Sequence, residues 1–385
     1  MSSSPSPIVH GYLILADISG YTSFLSQTEL DHAHEILTDL LETILNRFKP
    51  LLTIHKIEGD AIFAYTPESR LVRGETLLEL IESTYTDFRE RMKNVRRHTT
   101  CTCRACQSIP MLDLKFILHH GDFVLQSIGG TPELAGSDIN LVHRLLKNHV
   151  ADTTGWRAYA LFTAAALECM RVRPEGLIEG AESYEHLGQV KTYVMDMHAR
   201  YESLLQLRHI VVEEQEAIIS FSEDMPASPP VVWSWMNEPE KRKLMSLDPH
   251  GLEFIPIFRP GGRTGAGATT HCVHGKAVAM REAILDWKPF DYFTVEQDSG
   301  PMGVIQVTFR LQPLESGRQT RVSVFLKGYM RRLPAFISRP LIRFCYTRIF
   351  DYRVVASKLK AVLESLTPEE AGGAIASDAI AIQGS

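Results

Sequence analysis

The segment Tyr12-Leu-Ile-Leu-Ala-Asp-Ile-Ser-Gly-Tyr-Thr-Ser-Phe24 decides the organisation of the first half of the chain. Its apolar run is typical of a buried strand, and the glycine after it predicts a turn. Leu and Ile recur at helical spacing between Thr28 and Phe48, so the pattern predicts the start of a β-α-β arrangement. Asp17 ends the strand, where an acidic side chain needs a partner because burying an unpaired charge is costly.

A second carboxylate, Asp60, lies at the tip of a predicted hairpin. Residues 51–65 are interpreted as two strands joined by a tight turn, in which Gly59 tolerates a positive φ. Two carboxylates at the ends of adjacent strands suit hard divalent ions that also bind phosphate oxygens. The pair therefore predicts a site for a nucleoside triphosphate with magnesium.

A third segment, Leu134-Ala-Gly-Ser-Asp-Ile-Asn-Leu-Val-His-Arg144, carries an amide and a guanidinium. Asn140 and Arg144 are four residues apart in a predicted helix, so they lie on one face of it. The rest of the first half alternates predicted helices and strands. The predicted helices cover 74–93, 139–148 and 158–169, the predicted strands cover 112–120 and 190–197, and a polar linker is predicted over 199–207.

These three segments resemble the class III nucleotidyl cyclases, and the resemblance covers about residues 8–200. It rests on Ala16-Asp-Ile-Ser-Gly-Tyr-Thr-Ser-Phe24, on Lys56-Ile-Glu-Gly-Asp-Ala61 and on Gly136-Ser-Asp-Ile-Asn-Leu-Val-His-Arg144. It implies a ferredoxin-like α+β domain. The site residues that it implies are Asp17, Ile18 and Asp60 for two Mg²⁺ or Mn²⁺ ions, Lys56 for the base, Asn140 for the ribose and Arg144 for the transition state.

Glu133 is the departure from that pattern, since adenylate cyclases usually have Asp or Thr seven residues before the position of Asn140. Adenine offers an N1 acceptor and an N6 donor, which Lys56 and Glu133 complement. Guanine also fits, with O6 accepting from Lys56 and the N1 hydrogen facing Glu133. ATP is preferred because the lysine resembles the adenylate pattern.

The resemblance further implies conversion of ATP to cyclic AMP and pyrophosphate at a homodimer interface. One subunit would supply the metal-binding carboxylates and the other would supply the lysine, the asparagine and the arginine. The alternative is a catalytically inactive cyclase-like scaffold, because such domains can keep the fold and lose turnover.

A cysteine-rich insertion over 98–107 separates the second predicted helix from the following strand. Six cysteines in 385 residues do not form a disulfide framework. The spacing of His98, Cys101, Cys103 and Cys106 predicts a structural Zn²⁺ site, and three free thiols in an exposed loop are the alternative.

The second half changes to predicted strands separated by turns, followed by a long predicted helix over 339–366. It resembles the START-like (SRPBCC, polyketide cyclase and lipid-transport) superfamily. The resemblance rests on Ser228-Pro-Pro-Val-Val-Trp-Ser-Trp-Met-Asn-Glu-Pro-Glu-Lys-Arg-Lys243, on residues 262–275, on Leu285-Asp-Trp-Lys-Pro-Phe-Asp-Tyr-Phe293 and on that helix. It implies a helix-grip fold with an antiparallel sheet around a cavity for a small hydrophobic ligand.

Several second-half residues allow two interpretations. Trp233, Trp235 and Trp287 either line the cavity or form core, and core is preferred. His271 and His274 should face opposite sides of a strand, which argues against a shared metal. The arginines and aromatics between 331 and 353 either contact anionic lipid or form a core helix with a solvated basic face, which is preferred.

Composition and charge restrict the remaining classes. The chain is 44% hydrophobic and 22% charged, with a formal net charge of -6, so general nucleic-acid binding is not expected. No apolar run has the length of a transmembrane segment and the start lacks a secretion signal, so the expected location is cytoplasmic. The predicted domains are 8–201, cyclase-like, and 208–366, ligand-binding, followed by a disordered tail over 367–385.

Overall fold

Strand β1 (Ile8–Ser19) is a central element of the first sheet. The computed structural model describes residues 8–70, 74–98, 103–129, 131–206, 210–246, 252–275, 277–300, 303–331, 333–348, 350–367 and 370–371. Leu13 and Ile14, whose side chains point to opposite faces of the strand, are at most 1% exposed, as expected of a strand covered on both faces. Burying each such side chain contributes roughly 1.5–3 kcal/mol.

In the described part of the first unit, Met1–Leu205, eight strands form one sheet. Seven follow the order β2-β3-β1-β4-β6-β8-β7, and β5 pairs with β4. The other strands are β2 Thr53–Glu58, β3 Ala61–Pro67, β4 Asp113–Ile128, β5 Thr131–Ala135, β6 Tyr159–Thr163, β7 Ile178–Tyr184 and β8 Gly188–Asp196. The helices are α1 Tyr21–Gln27, α2 Leu30–Phe48, α3 Glu75–His98, α4 Arg104–Ser108, α5 Ser137–Leu145, α6 Val150–Thr154, α7 Ala164–Met170 and α8 Met197–Gln206.

One face of this sheet packs against α5. Ile139, Val142 and Leu145 of α5 belong to the same buried cluster as Leu13 and Leu15 of β1. The apolar residues of α5 recur at helical spacing, so the opposite side of the helix is left to polar residues. This packing fixes the position of Asn140 and Arg144, which are both exposed.

A glycine makes the turn between β1 and α1. Gly20 has a φ of 87°, and a Cβ at this position would lie 2.4 Å from the backbone oxygen of Met111. Only glycine therefore fits this turn without a shift of the neighbouring backbone. The turn brings the first residues of α1 next to Asp17.

The second unit, Gln206–Ser385, contains an antiparallel sheet of seven strands in its described residues, in the order β10-β11-β12-β13-β14-β15-β9. Its strands are β9 Ile219–Met225, β10 Leu252–Phe258, β11 Thr269–His274, β12 Ala277–Lys288, β13 Tyr292–Asp298, β14 Val304–Leu314 and β15 Gln319–Tyr329. Its helices are α9 Pro229–Asn237, α10 Pro239–Met245, α11 Ala335–Arg348 and α12 Tyr352–Glu364. The chain is thus a mixed α+β protein with two sheets.

Three predicted elements are wrong. The helix expected over 158–169 is strand β6 followed by α7, and the polar linker expected over 199–207 is occupied by α8 up to Gln206. The long helix expected over 339–366 is two helices, because Asp351 caps a new helix by accepting a hydrogen bond from the amide of Arg353. The predicted disordered tail lies outside the described residues from 372 onward.

The sequence predicts a core helix with a solvated basic face between residues 331 and 353. Helix α11 differs from this prediction because aromatic residues are also exposed on it. Phe336 is 77% exposed and Phe344 is 58% exposed, next to the exposed Arg339 and Arg343. Apolar and basic residues therefore share the outer surface of this helix. No helix among the described residues combines the length and the apolar character needed to cross a bilayer.

Candidate active site

Asp17 forms an ion pair inside the first sheet. In the register of β1 with β4, Asp17 lies directly opposite Lys115, and such antiparallel partners point to the same face. The Lys115 Nζ atom lies 3.0 Å from Asp17 Oδ2. Burial alone would lower the pKa of Lys115, but the pKa is raised because the Asp17 carboxylate stabilises the ammonium.

Asp60 lies beside Asp17, in the turn that joins β2 to β3. Its backbone oxygen accepts a hydrogen bond from the amide of Ile18 at 3.1 Å, which ties the hairpin tip to β1. The pKa of Asp60 is raised to about 6. Burial is the larger cause, and the negative charge of Asp17 is the next. The two carboxylates predicted to share a metal site therefore interact electrostatically in the folded chain.

Both carboxylates line a cavity of about 480 Å³. Its charged lining residues are Asp17, Asp60, Lys115 and Arg157, so the formal charge of the lining is zero. Gly20 and the first residues of α1 form another part of the wall. A nucleoside triphosphate would thus meet a neutral cavity and would need additional cations to balance its charge.

The residues expected to contact the base lie together at a second place. Lys56 on β2 donates a hydrogen bond from Nζ to Glu133 Oε2 on β5 at 2.8 Å. This bond raises the pKa of Lys56 and lowers that of Glu133. The ammonium keeps two further N–H donors and the carboxylate keeps its second oxygen, so the pair can still present a donor and an acceptor.

Asn140 and Arg144 are exposed on α5, four residues apart. The lining of the cavity that holds Asp17 and Asp60 includes neither of them. Lys56 and Glu133 are also absent from that lining, as far as the described residues go. One chain therefore presents the predicted site residues as three sets: Asp17 with Asp60, Lys56 with Glu133, and Asn140 with Arg144 on α5.

Sequence reasoning missed three residues next to these groups. Lys115 and Arg157 line the cavity, and His55 Nε2 lies 3.5 Å from Glu133 Oε2. Lys115 is a basic residue within the apolar stretch that forms β4, and this could have been noticed in the sequence. Its alignment opposite Asp17 depends on strand register, which the sequence alone does not provide.

A histidine from elsewhere in the chain lies next to the cysteine-rich insertion. His32 on α2, Cys103 and Cys106 bring one ligand atom each within 4.8 Å of one another. Cys101 and the side chain of His98, both predicted as zinc ligands, lie outside the described residues. Sequence spacing relates only nearby residues, and His32 is far from the cysteines in sequence.

The second unit encloses a cavity of about 490 Å³ between its sheet and its last helices. Apolar residues such as Phe309, Val324 and Leu359 form most of the lining. Trp233, Trp235 and Trp287 are not among the described lining residues, and the rings of Trp233 and Trp287 pack at 4.6 Å from each other. His274 lines the cavity.

A buried ion pair forms the polar part of this wall. Arg242 donates to both carboxylate oxygens of Glu282, at 2.6 and 2.8 Å, and Gln297 donates to Glu282 Oε2 at 2.9 Å. Tyr352 in turn donates to the amide oxygen of Gln297 at 2.7 Å. The polar groups are thus held in one fixed network within a mostly apolar cavity.

Comparisons with known proteins give two sequence similarities. A family model described as a protein of unknown function, DUF2652, matches residues 37–154. An uncharacterized protein of Mycobacterium tuberculosis is 28% identical over 165 residues, which cover 42% of this chain and 73% of that protein.

Several of the solved structures found to be similar are described as adenylyl or guanylyl cyclases. A bacterial light-regulated adenylyl cyclase has 15% identity and a TM-score of 0.40, covering 53% of this chain, which spans 58% of the length of that structure. The guanylyl cyclase Cya2 has 13% identity and a TM-score of 0.38, covering 49% and 92% of the two chains. The adenylyl cyclase CyaB from P. aeruginosa has 16% identity and a TM-score of 0.37, covering 50% and 97%.

Proposed function

We propose that the chain is a nucleotidyl cyclase that converts ATP to cyclic AMP and pyrophosphate, using two divalent cations per site of a homodimer. The observation that carries the proposal is the shared cavity of Asp17 and Asp60, in which burial and then the charge of Asp17 raise the pKa of Asp60. Carboxylate oxygens are the ligands that Mg²⁺ and Mn²⁺ prefer. The neutral lining also requires added cations before a triphosphate can bind.

The residues of the cavity fit the divalent cations. Asp17, Asp60 and the backbone at Ile18 come together where β1 meets the hairpin tip. Bound Mg²⁺ or Mn²⁺ would lower the pKa of the ribose 3′-hydroxyl and neutralise charge at the phosphates. Lys115, which is paired with Asp17, and Arg157 can donate hydrogen bonds to phosphate oxygens in the same cavity.

The reaction forms one bond and breaks another. The ribose 3′-oxygen attacks the α-phosphorus, the bond from this phosphorus to the bridging oxygen breaks, and pyrophosphate leaves. The 3′-hydroxyl proton is lost to solvent. Arg144, an always-charged planar donor, would stabilise the negative oxygens of the transition state, while Asn140 orients the ribose.

Base selection would fall to Lys56 and Glu133. The Nζ donors left by the 2.8 Å hydrogen bond to Glu133 can reach N1 of adenine, and the carboxylate can accept from N6. Guanine O6 and its N1 hydrogen can use the same two groups, so GTP is the competing substrate. The absence of Lys56, Asn140 and Arg144 from the described lining of the Asp17 and Asp60 cavity favours completion of the site by a second copy.

The assay that tests the proposal uses the purified full chain with ATP or GTP and either Mg²⁺ or Mn²⁺. We expect cyclic nucleotide and pyrophosphate in equal amounts, with more product from ATP than from GTP. Chelation of the divalent cation should stop the reaction. Nucleotide that stays unchanged with both metals over the neutral pH range would contradict the proposal.

A second candidate function is that of a START-like sensor or carrier for a hydrophobic molecule. The first unit of such a protein would be either an active cyclase or an inactive cyclase-like scaffold. The observation that favours it is the apolar cavity with its fixed Arg242–Glu282 pair. The ligand class is a small, mostly apolar molecule with one polar group. In an active protein, such a ligand would regulate the cyclase if it favoured one dimer geometry.

We expect Ala356→Phe, which fills this cavity, to reduce the amount of apolar small molecule that co-purifies with the chain. Ala356 lines the cavity, whereas Val354 on the same helix is 44% exposed and does not. Val354→Phe is therefore the matched control. Mass spectrometry of an organic extract measures the ligand, and equal recovery from both variants would refute the carrier function.

A further inference from the structure

We infer that His32, Cys103 and Cys106 bind one Zn²⁺ ion that links the cysteine-rich insertion to helix α2. One imidazole nitrogen and two thiolate sulfurs are ligands typical of structural zinc. These three ligand atoms lie within 4.8 Å of one another. The inference is independent of catalysis, because none of the three residues lines the cavity of Asp17 and Asp60.

The ligand atoms are brought together by ordinary backbone structure. Cys103 is the N-cap of α4, and its Sγ accepts a hydrogen bond from the amide of Cys106 at 3.4 Å. The sulfur atoms of Cys103 and Cys106 therefore lie close together at the start of α4. His32 Nδ1 approaches Cys103 Sγ to 3.2 Å from the first turns of α2.

A separate contact holds the insertion against the start of α2. Glu29, the N-cap residue of α2, accepts hydrogen bonds from the amides of Arg104 and Ala105 at 3.4 and 3.1 Å. These bonds fix α4 beside His32 without any metal. The two cysteines and the histidine are thus positioned in advance, which lowers the entropic cost of binding an ion.

Zinc requires deprotonated sulfurs and a neutral imidazole. Binding should therefore release protons and weaken as the pH falls. Three protein ligands leave one of the four positions of tetrahedral zinc for a further ligand.

The test measures zinc per chain in protein made without a His tag and dialysed against metal-free buffer. We expect one zinc per chain in the wild type and in the controls His34→Asn and His98→Asn. Loss of zinc is expected in His32→Asn and Cys103→Ser, and retention in His32→Cys, which restores a ligand. His34 lies two residues along the same helix, so His34→Asn controls for the change in the helix surface.

Two further measurements separate metal binding from a folding defect. Cobalt-substituted wild type should show a thiolate-to-cobalt absorption band that Cys103→Ser lacks. Removing zinc from the wild type should increase hydrogen exchange at the amides of Arg104 and Ala105. A wild type without stoichiometric zinc, or zinc that persists in His32→Asn and disappears from His98→Asn, would overturn the inference.

Discussion

Replacing Asp17 with asparagine is expected to reduce cyclic nucleotide formation by at least about 1,000-fold. The cations contribute several kcal/mol to stabilising charge in such reactions, and each 1.36 kcal/mol corresponds to a factor of ten in rate. The asparagine would keep the size of the side chain but remove the charge that binds a cation. It would also leave Lys115, now 3.0 Å from Asp17, without its partner in a largely buried place. The measurement is the initial rate of product formation with saturating Mn²⁺.

The loss must be distinguished from unfolding and from a general change of charge. Asp152→Asn is the matched control, because Asp152 is exposed on α6 and does not line the cavity. Its rate should stay within a factor of about two of the wild type, since surface substitutions usually change stability little. An Asp17→Asn protein that keeps the wild-type melting temperature and the wild-type rate would disprove the metal-binding role of Asp17.

The pKa of Asp60 adds a pH dependence to the same assay. Because this pKa is raised to about 6, the carboxylate becomes protonated as the pH falls through that value and ceases to bind cations. The rate at fixed Mn²⁺ should therefore fall on the acid side of about pH 6. Raising the Mn²⁺ concentration should move this fall to lower pH, because cation and proton compete for one carboxylate. A fall that does not move with Mn²⁺ would exclude Asp60 as its cause.

The hairpin around Asp60 could be predicted because its sequence is locally consistent. Ile57 on one side and Ile62-Phe63-Ala64 on the other flank a glycine that takes a φ of 64°, and the observed strands β2 and β3 confirm the prediction. Asp17 was located by the same kind of signal, an acidic residue at the end of an apolar run. Local patterns were sufficient wherever neighbouring residues determine the backbone.

The elements that were missed depend on distant contacts. The run Tyr159–Thr163 is fully buried between β4 and β8, and a short apolar run of this kind does not distinguish strand from helix. The strands Ile178–Tyr184 and Leu252–Phe258 are edge strands with many exposed residues, so their sequences lack a clear apolar alternation. Tertiary pairing, rather than propensity, forms these strands.

The same distinction applies to the candidate site. The offset of Lys56 from Asp60 is a local pattern that predicts its role, and the structure shows its ammonium bonded to Glu133, the residue that departs from the family pattern. Lys115 and His32 could not be assigned, because each is brought to its partners by register or packing across the fold. The sequence therefore indicates which chemical groups form the candidate site, and the fold determines which of their side chains come into contact.

Mixing two inactive variants, Asp17→Asn and Arg144→Ala, is expected to restore about a quarter of the wild-type activity. Arg144→Ala alone should lower the rate about 100-fold, since losing one preorganised donor to the transition state costs about 3 kcal/mol. Random exchange makes about half of the dimers mixed, and a mixed dimer has one intact site of two. The intact site combines Asp17 and Asp60 from one copy with Arg144 from the other.

The matched control mixes Asp17→Asn with Asp60→Asn. Both substitutions affect the cavity that one copy supplies, so each site of the mixed dimer keeps a defect and the rate should stay at background. Recovery with Arg144→Ala but not with Asp60→Asn requires that Arg144 of one copy acts with Asp17 and Asp60 of the other across a dimer interface. If neither mixture recovers although subunit exchange is shown by mass spectrometry of isotope-labelled chains, the shared site is wrong. Asp17 and Arg144 would then have to act within one chain, where they line no common cavity among the described residues.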